Sequence, residues 1–228
     1  MSSEAIIQSL KGGLVVSCQA PTTSPLHDPE VIAAMAEAAI MQGAVGVRID
    51  TPAHIAAVRQ RVKAPIIGLW KQVTPDSAVY ITPQFRHAQA VAEAGADIIA
   101  IDATLRPRPE DESLADLIHR IHQEVGKPVM ADVDTLMAAK AAAAAGADLL
   151  GTTLYGYTED TKDYRPPGLA LLADMVAEFS IPCICEGGIA SPQTAYQALK
   201  SGAFSVVVGT AITGIDILVG HYCSALKS

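Results

Sequence analysis
Short apolar runs rich in Val and Ile alternate along the chain with longer alanine-rich segments, and the joints between them take two forms. Four joints are Gly-Ala, at Gly43-Ala44, Gly95-Ala96, Gly146-Ala147 and Gly202-Ala203. Between them stand prolines that lead straight into apolar runs: Pro65-Ile-Ile-Gly, Pro128-Val-Met-Ala and Pro182-Cys-Ile-Cys. The segments ahead of the Gly-Ala joints, 31–40, 88–94, 136–145 and 194–199, favour helix because alanine has no side-chain entropy to lose. A glycine just beyond can adopt the left-handed conformation that ends a helix. The apolar runs show little alternation, as strands buried on both faces do in a parallel sheet covered by helices. Proline suits strand entry, where one N–H can be spared. With the opening run, the pattern predicts eight strands: 13–17, 45–49, 65–70, 97–101, 128–132, 148–152, 182–186 and 204–208.

Eight strand-then-helix units in 228 residues fit the lower end of the α/β (β/α)8 (TIM) barrel range, roughly 200 to 400 residues. An open doubly wound sheet is the competing architecture. The even alternation of two entry types favours the barrel, whose alternate strands supply alternate core layers. No linker or composition shift divides the chain, so one catalytic domain over 1–228 is expected. No apolar run reaches the ~18 residues of a membrane helix, and Met-Ser-Ser-Glu-Ala has no signal-peptide character. Four cysteines, two of them flanking one residue in a strand, read as free thiols in a reducing cytoplasm. A net charge of −8 argues against nucleic acid or an anionic membrane as partner. It leaves room for a small anionic ligand where a few cations converge.

In such barrels chemistry sits at the carboxyl ends of the strands. The residues expected there are Ser17-Cys18-Gln19, Arg48-Ile49-Asp50, Lys71, Asp102, Asp132, Thr152-Thr153, Glu186-Gly187-Gly188 and Gly209-Thr210. Gly187, Gly188, Gly209 and Thr210 follow the seventh and eighth strands, where backbone N–H groups commonly bind a phosphate; alternatively the glycines only permit tight turns. Lys71 and Glu186 together suggest acid–base or Schiff-base chemistry, with burial lowering the lysine pKa and raising that of the glutamate. Arg48 could hold an anion bidentately or pair with Asp50 or Glu186. Asp134 and Thr135 read as helix caps. His119 and His122 share an outer helical face, and no metal or cofactor site is expected. The connection 155–168 is either a lid or an ordered excursion. The last helix, with Ile217, Leu218, Tyr222 and Leu226, could close the barrel or cover a partner in a homodimer. The odd-numbered strands, ending in Gln19, Lys71, Asp132 and Glu186, are expected to carry the chemistry, with Arg48 and the last phosphate loop contributed by the even ones.

With these residues placed, the chain resembles the N-acylglucosamine-6-phosphate 2-epimerases, also called N-acetylmannosamine-6-phosphate 2-epimerases. The resemblance runs almost end to end, through Gly13-Leu-Val-Val-Ser-Cys-Gln19, Pro65-Ile-Ile-Gly-Leu-Trp-Lys71, Arg106-Pro-Arg-Pro109, Gly151-Thr-Thr-Leu-Tyr-Gly-Tyr-Thr158, Cys185-Glu-Gly-Gly188 and Val208-Gly-Thr-Ala-Ile-Thr213. It implies a barrel that epimerises C2 of N-acetylmannosamine 6-phosphate, in amino sugar and sialic acid catabolism, without a cofactor. Lys71 and Glu186 would then be the acid–base pair. Gln19, Arg48, Asp132 and Thr153 would bind the sugar, and the glycine loops its phosphate. Family members commonly carry Arg where this chain has Gln72 and Gly214; Arg106, Lys162 or Arg165 could offset the loss. A Schiff-base aldolase or lyase using Lys71, or a non-catalytic sugar-phosphate sensor, are the alternative readings.

Overall fold
The computed structural model describes residues 2–227. After a short helix α1 (Ser3–Gln8) the chain runs β1 (Leu14–Cys18), α2 (Pro29–Met41), β2 (Gly46–Asp50), α3 (Pro52–Arg61), β3 (Ile66–Leu69) and α4 (Phe85–Glu93). It continues with β4 (Ile98–Asp102), α5 (Leu114–Arg120), β5 (Val129–Asp132), α6 (Leu136–Ala144), β6 (Leu149–Gly151) and α7 (Leu169–Glu178). The last elements are β7 (Cys183–Glu186), α8 (Pro192–Lys200), β8 (Ser205–Val208), α9 (Thr210–Thr213) and α10 (Ile215–Ala225). The strands pair in sequence order, all parallel, and β8 closes on β1. All eight expected strands are present, each starting one residue later than the apolar run. The architecture is a (β/α)8 barrel.

Both kinds of joint act as the sequence suggests. Gly43, Gly95, Gly146 and Gly202 have φ of 96, 108, 95 and 97°. The alanine after each returns its N–H to a carbonyl five residues back, as in Ala44 to Ala39 at 3.1 Å and Ala147 to Ala142 at 3.0 Å, which closes a Schellman turn. The prolines donate nothing, yet their carbonyls accept from the preceding strand: Pro65 from Val47 (3.0 Å), Pro128 from Ile99 (2.9 Å) and Pro182 from Leu150 (3.1 Å). Strand entry at these prolines therefore spares a donor while still using the carbonyl.

Two apolar layers follow from the strand alternation. Val15, Ile67, Leu69, Ile98, Ala100, Met130, Leu149, Ile184 and Val207 fill the lumen, and Ile6, Ile7 and Leu10 of the first segment plug its amino-terminal end. Outward-facing residues, Cys183 and Cys185 among them, pack beneath the helices. Gly68 is where β3 meets the helical layer most closely: a Cβ there would lie 2.5 Å from that of Ala96. The filled lower lumen confines polar groups to the carboxyl-terminal mouth. Among the described residues, no helix is long and apolar enough to cross a membrane.

Candidate active site
The strand ends open into a cavity of about 570 Å3 whose wall includes Gln19, Arg48, Lys71, Thr153 and Glu186, with Gly187, Gly188, Gly209 and Thr210 from the loops after β7 and β8. Asp132 is the one expected site residue outside that wall. It is fully buried just behind Arg48.

Arg48 organises the floor. It is the middle residue of β2 and faces the lumen, where its two terminal nitrogens contact Asp132 at 3.2 and 2.6 Å. Its Nε reaches Glu186 at 3.1 Å. Thr153, just past β6, donates its hydroxyl to Asp132 at 2.6 Å and lies 3.3 Å from Glu186. Strands 2, 5, 6 and 7 thus meet in one network, in which Arg48, the expected contribution of the even strands, ties Asp132 to Glu186 of the odd ones. Strand identity does not restrict reach here, because long side chains cross a narrow lumen.

The electrostatics follow from one cation facing two carboxylates. Burial alone disfavours the Arg48 charge, but Asp132 and Glu186 outweigh that and hold the guanidinium charged more firmly than usual. Glu186 is left over. Burial raises its pKa from 4.5 to about 7; Arg48 opposes the rise, and the neighbouring Asp132 charge adds to it. Near neutral pH the carboxyl is therefore populated in both protonation states, as an acid–base group requires. The sign for stability is also fixed. The folded state holds this proton more tightly than the unfolded chain, so the contribution is largest below pH 4.5 and is lost as pH rises to about 7. Glu186→Gln, which keeps the shape and drops the charge, is expected to be more stable than the parent above pH 7, by up to ~3 kcal/mol. The gap should close toward pH 4.5, and urea melts at pH 8 and pH 5 measure it. Equal stability at pH 8 contradicts the raised pKa.

Lys71 corrects one expectation. Its side chain is 43% exposed, so the burial anticipated for it is absent; burial belongs to Glu186 alone. It stands just beyond β3, bridged antiparallel to Ile81, and its Nζ donates to Gln19 Oε1. Gln19 in turn donates to the Ser17 hydroxyl at 2.8 Å. In the ring of eight strands, β3 and β7 are diametrically opposed, so Lys71 and Glu186 face each other across the mouth.

The sequence reading did not assign Tyr80 and Tyr157, which also line the cavity. Burial pushes the Tyr80 hydroxyl up to about 12, helped by Asp132 and Asp102. Burial and the nearby Glu186 raise that of Tyr157. Both remain phenol donors. Tyr157 belongs to the connection 155–168, which is an internally bonded excursion. Thr158 donates to Asp134 at 2.7 Å, Gly156 N–H donates to Thr161 at 2.9 Å, and Tyr155 stacks on Tyr164. Asp134 therefore anchors this loop, while Thr135 caps α6. A Cβ on Gly188 (φ 69°) would lie 2.4 Å from Pro166 of the same loop, so this glycine has a packing reason of its own. A Cβ on Gly209 would meet nothing closer than Ser17 at 3.4 Å.

Two of the three cations considered as replacements for the missing arginines are already paired. Arg106 is paired with Asp102 at 2.7 Å, Lys162 with Glu159, and Arg165 is exposed. The Gln72 side chain folds back onto the Lys71 carbonyl at 2.8 Å. A Cβ on Gly214 would stand 2.8 Å from Thr210, so the α9–α10 junction leaves no room for a side chain there. His122 pairs with Asp148 at 2.8 Å on the outer layer. Among the described residues, no cluster of three or more His, Cys, Asp or Glu could hold a metal.

Fold and site together define a (β/α)8 barrel whose mouth holds a lysine and a buried glutamate of raised pKa on opposite walls. Residues 32–228 match the family model described as "Putative N-acetylmannosamine-6-phosphate epimerase", and the chain belongs to this family. A Synechococcus elongatus protein named "Putative N-acetylmannosamine-6-phosphate 2-epimerase" is 59% identical over 100% of this chain and 99% of its own. A Thermosynechococcus vestitus protein of the same name is 63% identical over 96% and 95%. The solved structure of the N-acetylmannosamine-6-phosphate 2-epimerase from Clostridium perfringens has a TM-score of 0.92 at 37% identity and covers 96% of each chain.

Proposed function
We propose that this protein interconverts N-acetylmannosamine 6-phosphate and N-acetylglucosamine 6-phosphate by moving a proton at C2, as one catalytic domain over 1–228. The observation that carries the reading is the placement of Glu186, with its pKa raised to about 7, across the cavity mouth from Lys71. The C2 hydrogen becomes acidic only in the ring-opened sugar, where the electron pair of the broken C–H bond delocalises onto the C1 aldehyde oxygen. Inversion then needs a base on one face of C2, an acid on the other, and a donor to the enolate oxygen. Lys71 and Glu186 supply the two faces. The proton leaves to one of them, and a proton from the other enters at the opposite face, so the two groups exchange protonation states in each turnover. Gln19 and Arg48 orient the open-chain sugar, with Thr153 and Asp132 holding the floor beneath it. Gly187, Gly188, Gly209 and Thr210 receive the phosphate.

The test is proton NMR of the protein with N-acetylmannosamine 6-phosphate in heavy water. Conversion with deuterium appearing at C2 is expected; conversion without it, or neither, removes the proposal. The buried free thiols Cys18, Cys183 and Cys185 support a reducing, cytoplasmic setting.

We propose further that the protein is a homodimer. No residue of α10 is buried, although Ile215, Val219, Tyr222 and Leu226 form a stripe at helical spacing, with Tyr222 74% and Leu226 86% exposed. The outer faces of β1 and β8 meanwhile border two apolar grooves at Ile212, lined by Leu14, Val16 and Met35 on one side and Val206 and Val208 on the other. The α10 stripe begins at Ile215, which also lines the first of these grooves, while Leu218 and His221 of the same helix line the cavity at the mouth. A second copy offering its own α10 stripe satisfies both surfaces at once. Light scattering is expected to give twice the chain mass, and Val219→Glu/Tyr222→Glu the single mass; a monomeric parent protein at tens of micromolar excludes it.

A further inference from the structure
We infer that Asp50 is a positioning residue that holds Lys71 in its working geometry, an inference that rests on the acid–base role proposed above for Lys71. Asp50 ends β2, beside Leu69 in the β2–β3 register. The next residue, Thr51, has a left-handed φ of 72° and donates its N–H to Leu69 O at 2.9 Å. The chain thus turns off sharply, and the Asp50 carboxylate remains at the rim beside the neighbouring strand. Its two oxygens grip the same residue in two ways. Oδ1 accepts the Lys71 backbone N–H at 3.0 Å, and Oδ2 lies 3.8 Å from Lys71 Nζ.

That double contact matters because Lys71 lies outside regular structure. β3 ends at Leu69, and a single bridge to Ile81 is its one link to neighbouring backbone ladders. A half-exposed lysine with four rotatable bonds samples many rotamers unless partners select one. Gln19 provides one contact to Nζ from β1, and Asp50 provides the other from β2. Proton transfer to carbon tolerates little displacement: misplacing the acting group by about 1 Å costs on the order of 100-fold in rate. The other charged groups near Lys71 are committed elsewhere. Arg48 is tied to Asp132 and Glu186, and Glu186 lies across the mouth. On the far side of Asp50 stands His54 of α3, with the ring of His27 packed against it at 4.5 Å. Of these groups, Asp50 is the carboxylate within ion-pair distance of Nζ.

Asp50→Asn separates the two contacts, since the amide oxygen still accepts the backbone N–H while the charge opposite Nζ is gone. With N-acetylmannosamine 6-phosphate, KM is expected to stay within about twofold and kcat to fall roughly 10-fold to 100-fold, with deuterium entry at C2 slowed in step. Asp50→Glu restores the charge and is expected to recover kcat to within about fivefold of the parent. An unchanged kcat in Asp50→Asn overturns the inference, as does a raised KM with kcat intact, which would mark a substrate contact. Glu and Asn variants equally impaired would mark a purely structural role and overturn it as well. Failure of the underlying reading looks different: the parent protein itself then shows no deuterium at C2.

Discussion

Lys71→Ala and Glu186→Gln are each expected to reduce deuterium incorporation at C2 by at least about 100-fold, and up to about 10,000-fold, the range a positioned general acid or base supplies. Both losses should fall on kcat, because both groups are proposed to act at C2 rather than to hold the phosphate. The two variants differ in how they should fold. Lys71 is largely solvated and its contacts lie at the rim, so the alanine variant should melt close to the parent. Glu186→Gln should melt higher at pH 8, because a carboxyl with a pKa near 7 is destabilising to the fold when ionised. A variant more stable and yet inactive separates chemistry from folding without further controls, and it is the expected signature of a charge retained for function. Normal turnover by either variant would falsify the acid–base assignment.

The second large effect is structural. Arg48→Met leaves Asp132 fully buried without its ion pair and removes the opposing charge from Glu186. Breaking a buried pair from one side costs about 3–5 kcal/mol, which in a domain of this size lowers Tm by roughly 10 °C. The deficit should shrink as pH falls toward 5, where Glu186 is protonated in the variant and only Asp132 remains uncompensated. Removing the orphaned carboxylate as well, in Arg48→Met/Asp132→Asn, should recover part of the loss, because the network is satisfied or empty rather than half-made. Thermal melts at pH 8 and pH 5 read both outcomes. A variant within 1 kcal/mol of the parent, by the same scale, would mean that water reaches Asp132.

Much of the molecule is legible in the chain because it rests on short-range constraints. A left-handed glycine after an alanine-rich helix and a proline that spares one donor at strand entry are local requirements, so the eight units and their parallel closure can be counted before folding. The filled lower lumen follows from strand runs that are apolar at nearly every position. The residues at each run's end then fall at the mouth, which is why Gln19, Arg48, Lys71, Thr153, Glu186 and the four loop residues Gly187, Gly188, Gly209 and Thr210 all reach one cavity wall.

What the tertiary structure alone decided is how far side chains reach once the strands are closed, and how much water remains around them. Two residues that read alike in sequence, each a charged group ending an apolar run, meet opposite fates: Glu186 is buried against Arg48 and Asp132, while Lys71 stays wet beside Asp50 and Gln19. Asp134, a cap by its position, anchors a loop instead because Thr158, 24 residues later, arrives within 2.7 Å. Tyr80 and Tyr157 come to the site on irregular connections that carry no periodic signal. Hydrophobic patterning determined which way each strand faces; desolvation and long-range pairing, which sum over neighbours distant in sequence, determined which of the charged groups at the strand ends is buried and shifted in pKa and which stays solvated.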